Sequence, residues 1–137
     1  MAILARWRAM GLAGGEGVGY AGKDMKVSEI EKVAQTRCAV GPGNPEAEVG
    51  AAFTSDLLSD VMGNAPENSV LVTIQAHATT VAVALVADIR AILVCSGRGI
   101  PQDMADAARK EGIAIYVTAL DQYHASIALA ALLGDLP

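Results

Sequence analysis

Aromatic side chains are scarce in this chain: one Trp, one Phe and three Tyr among 137 residues. Its apolar content is mostly Ala, Val, Leu and Ile in short runs, a composition that suits a parallel sheet buried on both faces. Cysteine is sparse too. Cys38 and Cys95 lie far apart and form no CxxC or zinc spacing. Cys95 sits inside AILVC and reads as a buried reduced thiol, which fits a cytoplasmic, reducing compartment. Positive charge is in deficit, with 10 Lys and Arg against 15 Asp and Glu and a net charge of −5. That balance gives no electrostatic pull toward nucleic acid or anionic membranes. No apolar run approaches the ~20 residues of a membrane span. Met1–Trp7, despite Arg6 and Arg8, is too short for a secretory hydrophobic segment. The length suits one domain with a proper core and is too short for two.

Residues 1–24 are Gly-rich (GLAGGEGVGYAG) and lack both helical and strand periodicity, so they read as a flexible extension to a domain spanning 25–137. Met25 is an alternative start. Gly17, Gly19 and Gly22 satisfy GxGxxG, and Gly17 to Asp24 approaches GxxxxGK[ST]. A phosphate loop needs a strand leading in, a helix leading out and a hydroxyl for magnesium. The preceding MGLAGGE is a poor strand and Asp24 replaces the hydroxyl, so a flexible glycine tract is the better reading.

From there the chain alternates. Ser28 opens a helix with a Ser28–Glu31 capping box and an Ile30, Val33, Ala34 stripe. Thr36–Val40 is a short strand, and Gly41-Pro42-Gly43-Asn44 a turn. Val49–Phe53 is a strand. Thr54 or Ser55 caps a short helix with Asp56 in its first turn and Leu57, Leu58 and Val61 inward, ended by Gly63-Asn64. Val70–Ile74 is a buried strand. Thr79 or Thr80 caps Val81–Val86, a helix apolar on nearly all sides and so enclosed or covered by a partner. Ile92–Cys95 is a strand leading to Ser96-Gly97-Arg98-Gly99. A punctuated helix follows, with Pro101 at N1, Asp103 in the first turn, Arg109 and Lys110 in the last, Gly112 at C′, and Met104, Ala107 and Ala108 inward. Ile113–Val117 is a strand. Asp121 caps a last helix that packs Ala125, Ile127, Ala128, Ala131 and Leu132 and stops near Gly134. Strict alternation with short connections implies an α/β fold with a mostly parallel sheet, helices on both faces and right-handed crossovers.

In such a sheet the loops leaving the strand C-termini share one edge, where open α/β folds bind ligands. Here those loops hold Ser55, Asp56, Gln75, His77, Ser96, Gly97, Arg98, Gly99 and Thr118. Helix N-termini there suit an anion, and Gly97 and Gly99 would let a backbone approach closely. The same residues also serve as the caps and turns that such loops need. The candidate ligand-binding set is therefore Ser55, Asp56, Gln75, His77, Gly97 and Gly99. His77 is a general base, a ligand contact, a phosphoacceptor or a turn residue; His124, in the last helix, reads as surface. A metal needs three or four ligands and His77 with Asp56 falls short, so no metal or cofactor is expected. Ser55, Asp56 and His77 together outline a phosphotransfer or hydrolytic enzyme as the alternative. The chain, however, carries no GxSxG nucleophile elbow.

The stretch SDLLSDVM at Ser55–Met62, followed by Thr73-Ile74-Gln75 and His77 and preceded by MKVSEI at Met25–Ile30, resembles the DRTGG domain family over Met25 to about Leu133. The eponymous D-R-x-V-T-G-G falls on Glu46–Ala52 and is degraded: Val49 remains, whereas the Arg, Thr and both Gly positions differ. The resemblance implies a three-layer α/β/α fold similar to the N-terminal domain of HPr kinase/phosphorylase, whose phosphate loop lies downstream of that domain. It implies a regulatory, accessory or dimerising role rather than catalysis. Stand-alone members are often encoded beside iron-only hydrogenase subunits, which adds a hydrogenase-related partner to the expectation. The reading is a non-catalytic regulatory module, a homodimer, that binds a small anionic or nucleotide-like ligand or docks to a redox partner.

Overall fold

The computed structural model describes residues 24–136. The glycine motifs of Gly17–Asp24, the character of residues 1–23 and the question of a start at Met25 lie outside or at the border of those residues.

The element order is β1 (Met25–Lys26), a 3-10 helix (Val27–Lys32), β2 (Thr36–Val40), β3 (Glu48–Val49), β4 (Ala51–Thr54), α1 (Leu58–Asn64), β5 (Ser69–Thr73), α2 (Ala78–Val86), β6 (Ile89–Val94), α3 (Gln102–Glu111), β7 (Ala114–Thr118) and α4 (Gln122–Leu133). The main sheet has the order β2-β7-β6-β5-β4, with β4 to β7 parallel and β2 antiparallel to β7. β1 and β3 form a separate antiparallel pair.

Because β4, β5, β6 and β7 are neighbours in sequence order, each right-handed crossover lays its helix on the same face. α1, α2 and α3 therefore pack side by side there. α4 follows the last strand and runs back over the other face to β4 and β5. The 3-10 helix lies against β2 and β7. Alternate strand residues supply the two cores. Val70, Val72, Leu93, Cys95 and Tyr116 meet Ala125, Leu129 and Leu133 of α4 and Ile30 of the 3-10 helix. Leu71, Ile92, Val94 and Ile115 meet Val61, Val81, Ala84 and Met104 of the opposite helices. The fold is thus a three-layer α/β/α sandwich around a mostly parallel sheet, as the alternation predicts. β5 and β7 are buried at every position, which is why they read as continuous apolar runs.

Several local expectations need correcting. The Ser28 box is displaced: the Glu29 carboxylate accepts from the Lys26 amide at 2.7 Å, and the turn is 3-10 rather than α. Ala34 is exposed, because the turn ends before reaching it. The strand expected at Val49–Phe53 breaks at Gly50 into β3 and β4, each paired to a different element. The α1 helix starts at Leu58, so Asp56 lies outside its first turn, and Leu57 is 64% exposed rather than inward. The α2 helix begins at Ala78, with backbone at His77 as its cap; Thr80 is a donor, its hydroxyl bonding the Gln75 carbonyl at 2.9 Å. In α4 the buried stripe is Ala125, Leu129 and Leu133, while Ile127 and Ala131 face outward. α4 has apolar residues all round, so periodicity does not select its inner side.

Candidate functional site

At the C-terminal edge of the parallel strands, β4 and β5 end side by side. Ser55 continues the ladder, donating its amide to the Val72 carbonyl at 3.1 Å. Asp56 then turns inward instead of capping α1. Its Oδ1 accepts from the Thr73 hydroxyl at 2.9 Å, the Ile74 amide at 2.9 Å and the Gln122 side chain at 3.0 Å. One carboxylate thereby ties the β4 exit to the β5 exit and to the first turn of α4. Gln75 closes the arrangement from the other side, its Nε2 donating to the Asp56 carbonyl at 3.1 Å. Its amide donates to Thr73 Oγ1 at 3.1 Å.

Ser55 is turned toward α1. Its Oγ accepts from the Leu57 amide at 3.2 Å and donates weakly to Asp60 at 3.4 Å. Thr54 shares a 2.7 Å hydrogen bond with Ser126, whose hydroxyl also donates to the Gln122 carbonyl at 2.6 Å. His77 is exposed at the head of α2, where its carbonyl accepts from the Thr80 amide, and its ring takes no part in the Asp56 network.

The next two exits are strapped together. The Ser96 amide donates to the Leu120 carbonyl at 2.8 Å, and the Gly97 amide to the Thr118 carbonyl at 3.0 Å. Ser96 and Gly97 have φ of 63° and 65°, the backbone of a tight turn closed from Arg98 to Cys95. A side chain at Gly97 would meet open space, so the left-handed backbone is what requires glycine there; Gly99 has neither a positive φ nor a close neighbour. Thr118 donates to the Ala34 carbonyl and accepts from the Leu120 amide. Asp121 caps α4 as expected, accepting from the His124 amide at 2.8 Å. That bond and the His124 ring hold its carboxyl below the usual range.

Beneath the edge lies Cys95, fully buried. Burial, reinforced by the carboxylates of Asp56 and Asp121, pushes its thiol up to about 11. Among the described residues no group of three or more His, Cys, Asp or Glu is placed to hold a metal ion. No described helix is long and apolar enough to cross a membrane.

Of the sequence-predicted set, Ser55, Asp56 and Gln75 come together. His77 stands at the rim, and Gly97 and Gly99 lie on the separate β6 exit. Sequence reading missed Gln122 and Ser126. Both sit in the first turns of α4, more than 60 residues from their partners, and nothing local marks them. A hollow of about 250 Å³ lies at the opposite edge, lined by Asn68, Asp88, Arg90 and Glu111 among others. It is smaller than the roughly 300 Å³ at which ligand pockets begin. Within it Arg90 Nε donates to the Asn68 side chain at 2.8 Å and the Asn68 amide to the Asp88 carbonyl.

No family model matches the chain, and no curated protein matches it. Among solved structures it is similar to the CBS and DRTGG domains of the regulatory region of Clostridium perfringens pyrophosphatase, complexed with the activator diadenosine tetraphosphate. The TM-score is 0.67 at 14% identity, covering 79% of this chain and 47% of the other. The chain thus spans about half the length of that structure. The likeness is one of fold, and it supports a DRTGG-like architecture.

Proposed function

We propose that this chain is a non-catalytic regulatory or accessory module that takes a small anionic, nucleotide-like ligand at the C-terminal edge of its parallel strands. The observation that carries this reading is the shared fold with a regulatory region that binds diadenosine tetraphosphate. The edge itself supports it. Its loops are held in place by Asp56, Gln75 and the β6–β7 strap, while His77 and Arg98 stay exposed on the rim. Preorganised loops lower the ordering cost of binding. The same geometry weighs against the phosphotransfer or hydrolytic alternative. Asp56 is engaged with Thr73, Ile74 and Gln122, and Ser55 with Leu57 and Asp60, so neither is poised against His77.

A homodimer belongs to this reading. Leu85 and Val86 at the end of α2 and Tyr123 on α4 are exposed apolar side chains of the kind that association covers. A cytoplasmic location belongs to it as well, and Cys38 and Cys95 are free thiols. A hydrogenase-related protein is the partner to test in pull-down, on the family resemblance alone.

The test is calorimetric titration with diadenosine tetraphosphate, ATP and AMP, each sample then assayed for product. Saturable heat without turnover, weakened at least roughly fivefold in His77→Ala, is expected. Silence across the panel at millimolar ligand would remove the ligand claim. Turnover abolished in His77→Ala would install the enzyme instead.

A further inference from the structure

The main sheet ends in two strands that carry different defences. β2 has Arg37 and a register shift between Cys38 and Val40, and both a charge and a bulge discourage further pairing. β4, with the sequence AAFT, has no charge, no proline and no break in its register with β5. Shortness is its one protection. Ser55 donates to Val72 across the ladder, so alternate backbone groups of the strand turn outward, and those are Ala52 and Thr54. Among the described residues no strand pairs with them.

We propose that the outer edge of β4 pairs antiparallel with β4 of a second copy, joining two sheets into one across a two-fold axis normal to the sheet. This rests on the homodimer reading above and assigns its seam to β4 and α4, which leaves Leu85 and Val86 of α2 outside it. With Phe53 on the axis, Ala52 exchanges both backbone bonds with Thr54 of the partner subunit, and the two Phe53 rings form a non-hydrogen-bonded cross-strand pair. The operator keeps like faces together, so α4 lies beside α4 of the partner subunit.

The spacing fits. α4 lies over β4 and β5. With strands about 4.8 Å apart, an axis midway between these strands stands about 4.8 Å from the seam. The two α4 axes are then about 10 Å apart, at the edge of ordinary helix packing. The flank of α4 turned to the seam is marked by Ser126, bonded to Thr54, and carries small side chains at Ser126 and Ala130. α4 has no Asp, Glu, Lys or Arg between Gln122 and Leu133, so on this face of the sheet two acidic chains meet without like charges opposed, whereas α1 on the other face carries Asp60. A foreign strand would cover the β4 edge alone. A second copy covers the edge and the uncharged helix together.

Sedimentation velocity on the full chain, with hydrogen exchange at the amides of Ala52 and Thr54, tests this. Thr54→Pro removes one outward N–H and leaves the β5 ladder intact; Thr54→Lys puts a charge on the same edge and serves if the proline variant does not fold. Both are expected to weaken the dimer by roughly tenfold or more while the circular dichroism spectrum is kept. The two edge amides should lose protection on dilution in step with dissociation. A dimer unmoved by both folded variants would overturn this seam and leave the homodimer standing. A monomer at a hundred micromolar would overturn both. Edge amides protected at concentrations where the chain is monomeric would mean that another part of the chain covers β4 in cis, and that too would overturn it.

Discussion

Asp56 Oδ1 accepts from Thr73, Ile74 and Gln122, so removing it strands donors from three places in the chain. Asp56→Ala is expected to cost about 2–3 kcal/mol in urea unfolding, since hydrogen bonds to a charged acceptor exceed neutral ones and half-buried donors would lack partners. A loss below about 0.5 kcal/mol would show that water replaces the carboxylate without penalty. Sequence reading singled out Asp56 but placed it in the first turn of the helix that starts at Leu58. A Ser-Asp pair ahead of a helix looks like a cap, and only the approach of β5 and α4 reveals the three partners. Cys95 carries a second residue-scale prediction. Its unfolded thiol ionises near the ordinary 9.0, whereas the folded one stays protonated until about 11. The stability this group supports is complete below pH 9 and declines as pH rises from there toward 11. Cys95→Ala should flatten that part of the curve in a pH series of thermal melts. Cys95 should also resist a thiol reagent at pH 8 until the chain unfolds, whereas half-buried Cys38 reacts first.

Among the elements, α3 is the one whose punctuation in the sequence matches its structure most closely. Asp103 stands in the first turn, Arg109 and Lys110 in the last, and Gly112 closes it at φ 70°. Its charges face water and Met104 and Ala108 face the core, so local chemistry and tertiary packing ask for the same thing. Gly112→Ala should destabilise by about 1–2 kcal/mol, the cost of an L side chain in the left-handed region, read from the shift in denaturation midpoint. An unchanged midpoint would mean that the turn re-forms without the left-handed residue. α4 is the opposite case. Asp121 and Gly134 bracket it in the sequence as in the structure, and Ala125, Ala128 and Leu132 pack inward as expected, yet Ile127 and Ala131 face outward. A helix with apolar residues on every side leaves that choice to the sheet beneath it. The strand expected at Val49–Phe53 failed for a related reason. Gly50 breaks it so that Val49 can pair with Met25 while Ala51 pairs with Ser69, and such long-range pairing leaves no local trace.

For the molecule as a whole, the order β2-β7-β6-β5-β4 puts β5, β6 and β7 inside and one helix layer on each face. Amides of Leu71 and Ile92 should exchange only through global unfolding, and those of the bulged outer strand β2 sooner; native-state hydrogen exchange would show it. Equal protection across the sheet would contradict that ordering. The sequence by itself determined the class of the fold. Short aliphatic runs alternating with capped amphipathic segments leave a buried, mostly parallel sheet as the solution that covers every apolar face. It also determined which strand ends carry polar loops, because turn and cap chemistry is local. Tertiary structure alone decided that consecutive strands lie side by side, that α4 returns over β4, and that Asp56 faces inward to Thr73, Ile74 and Gln122. Those outcomes depend on contacts between residues 17 to 66 positions apart in the bonded network, and chain closure over such distances is written in no single segment.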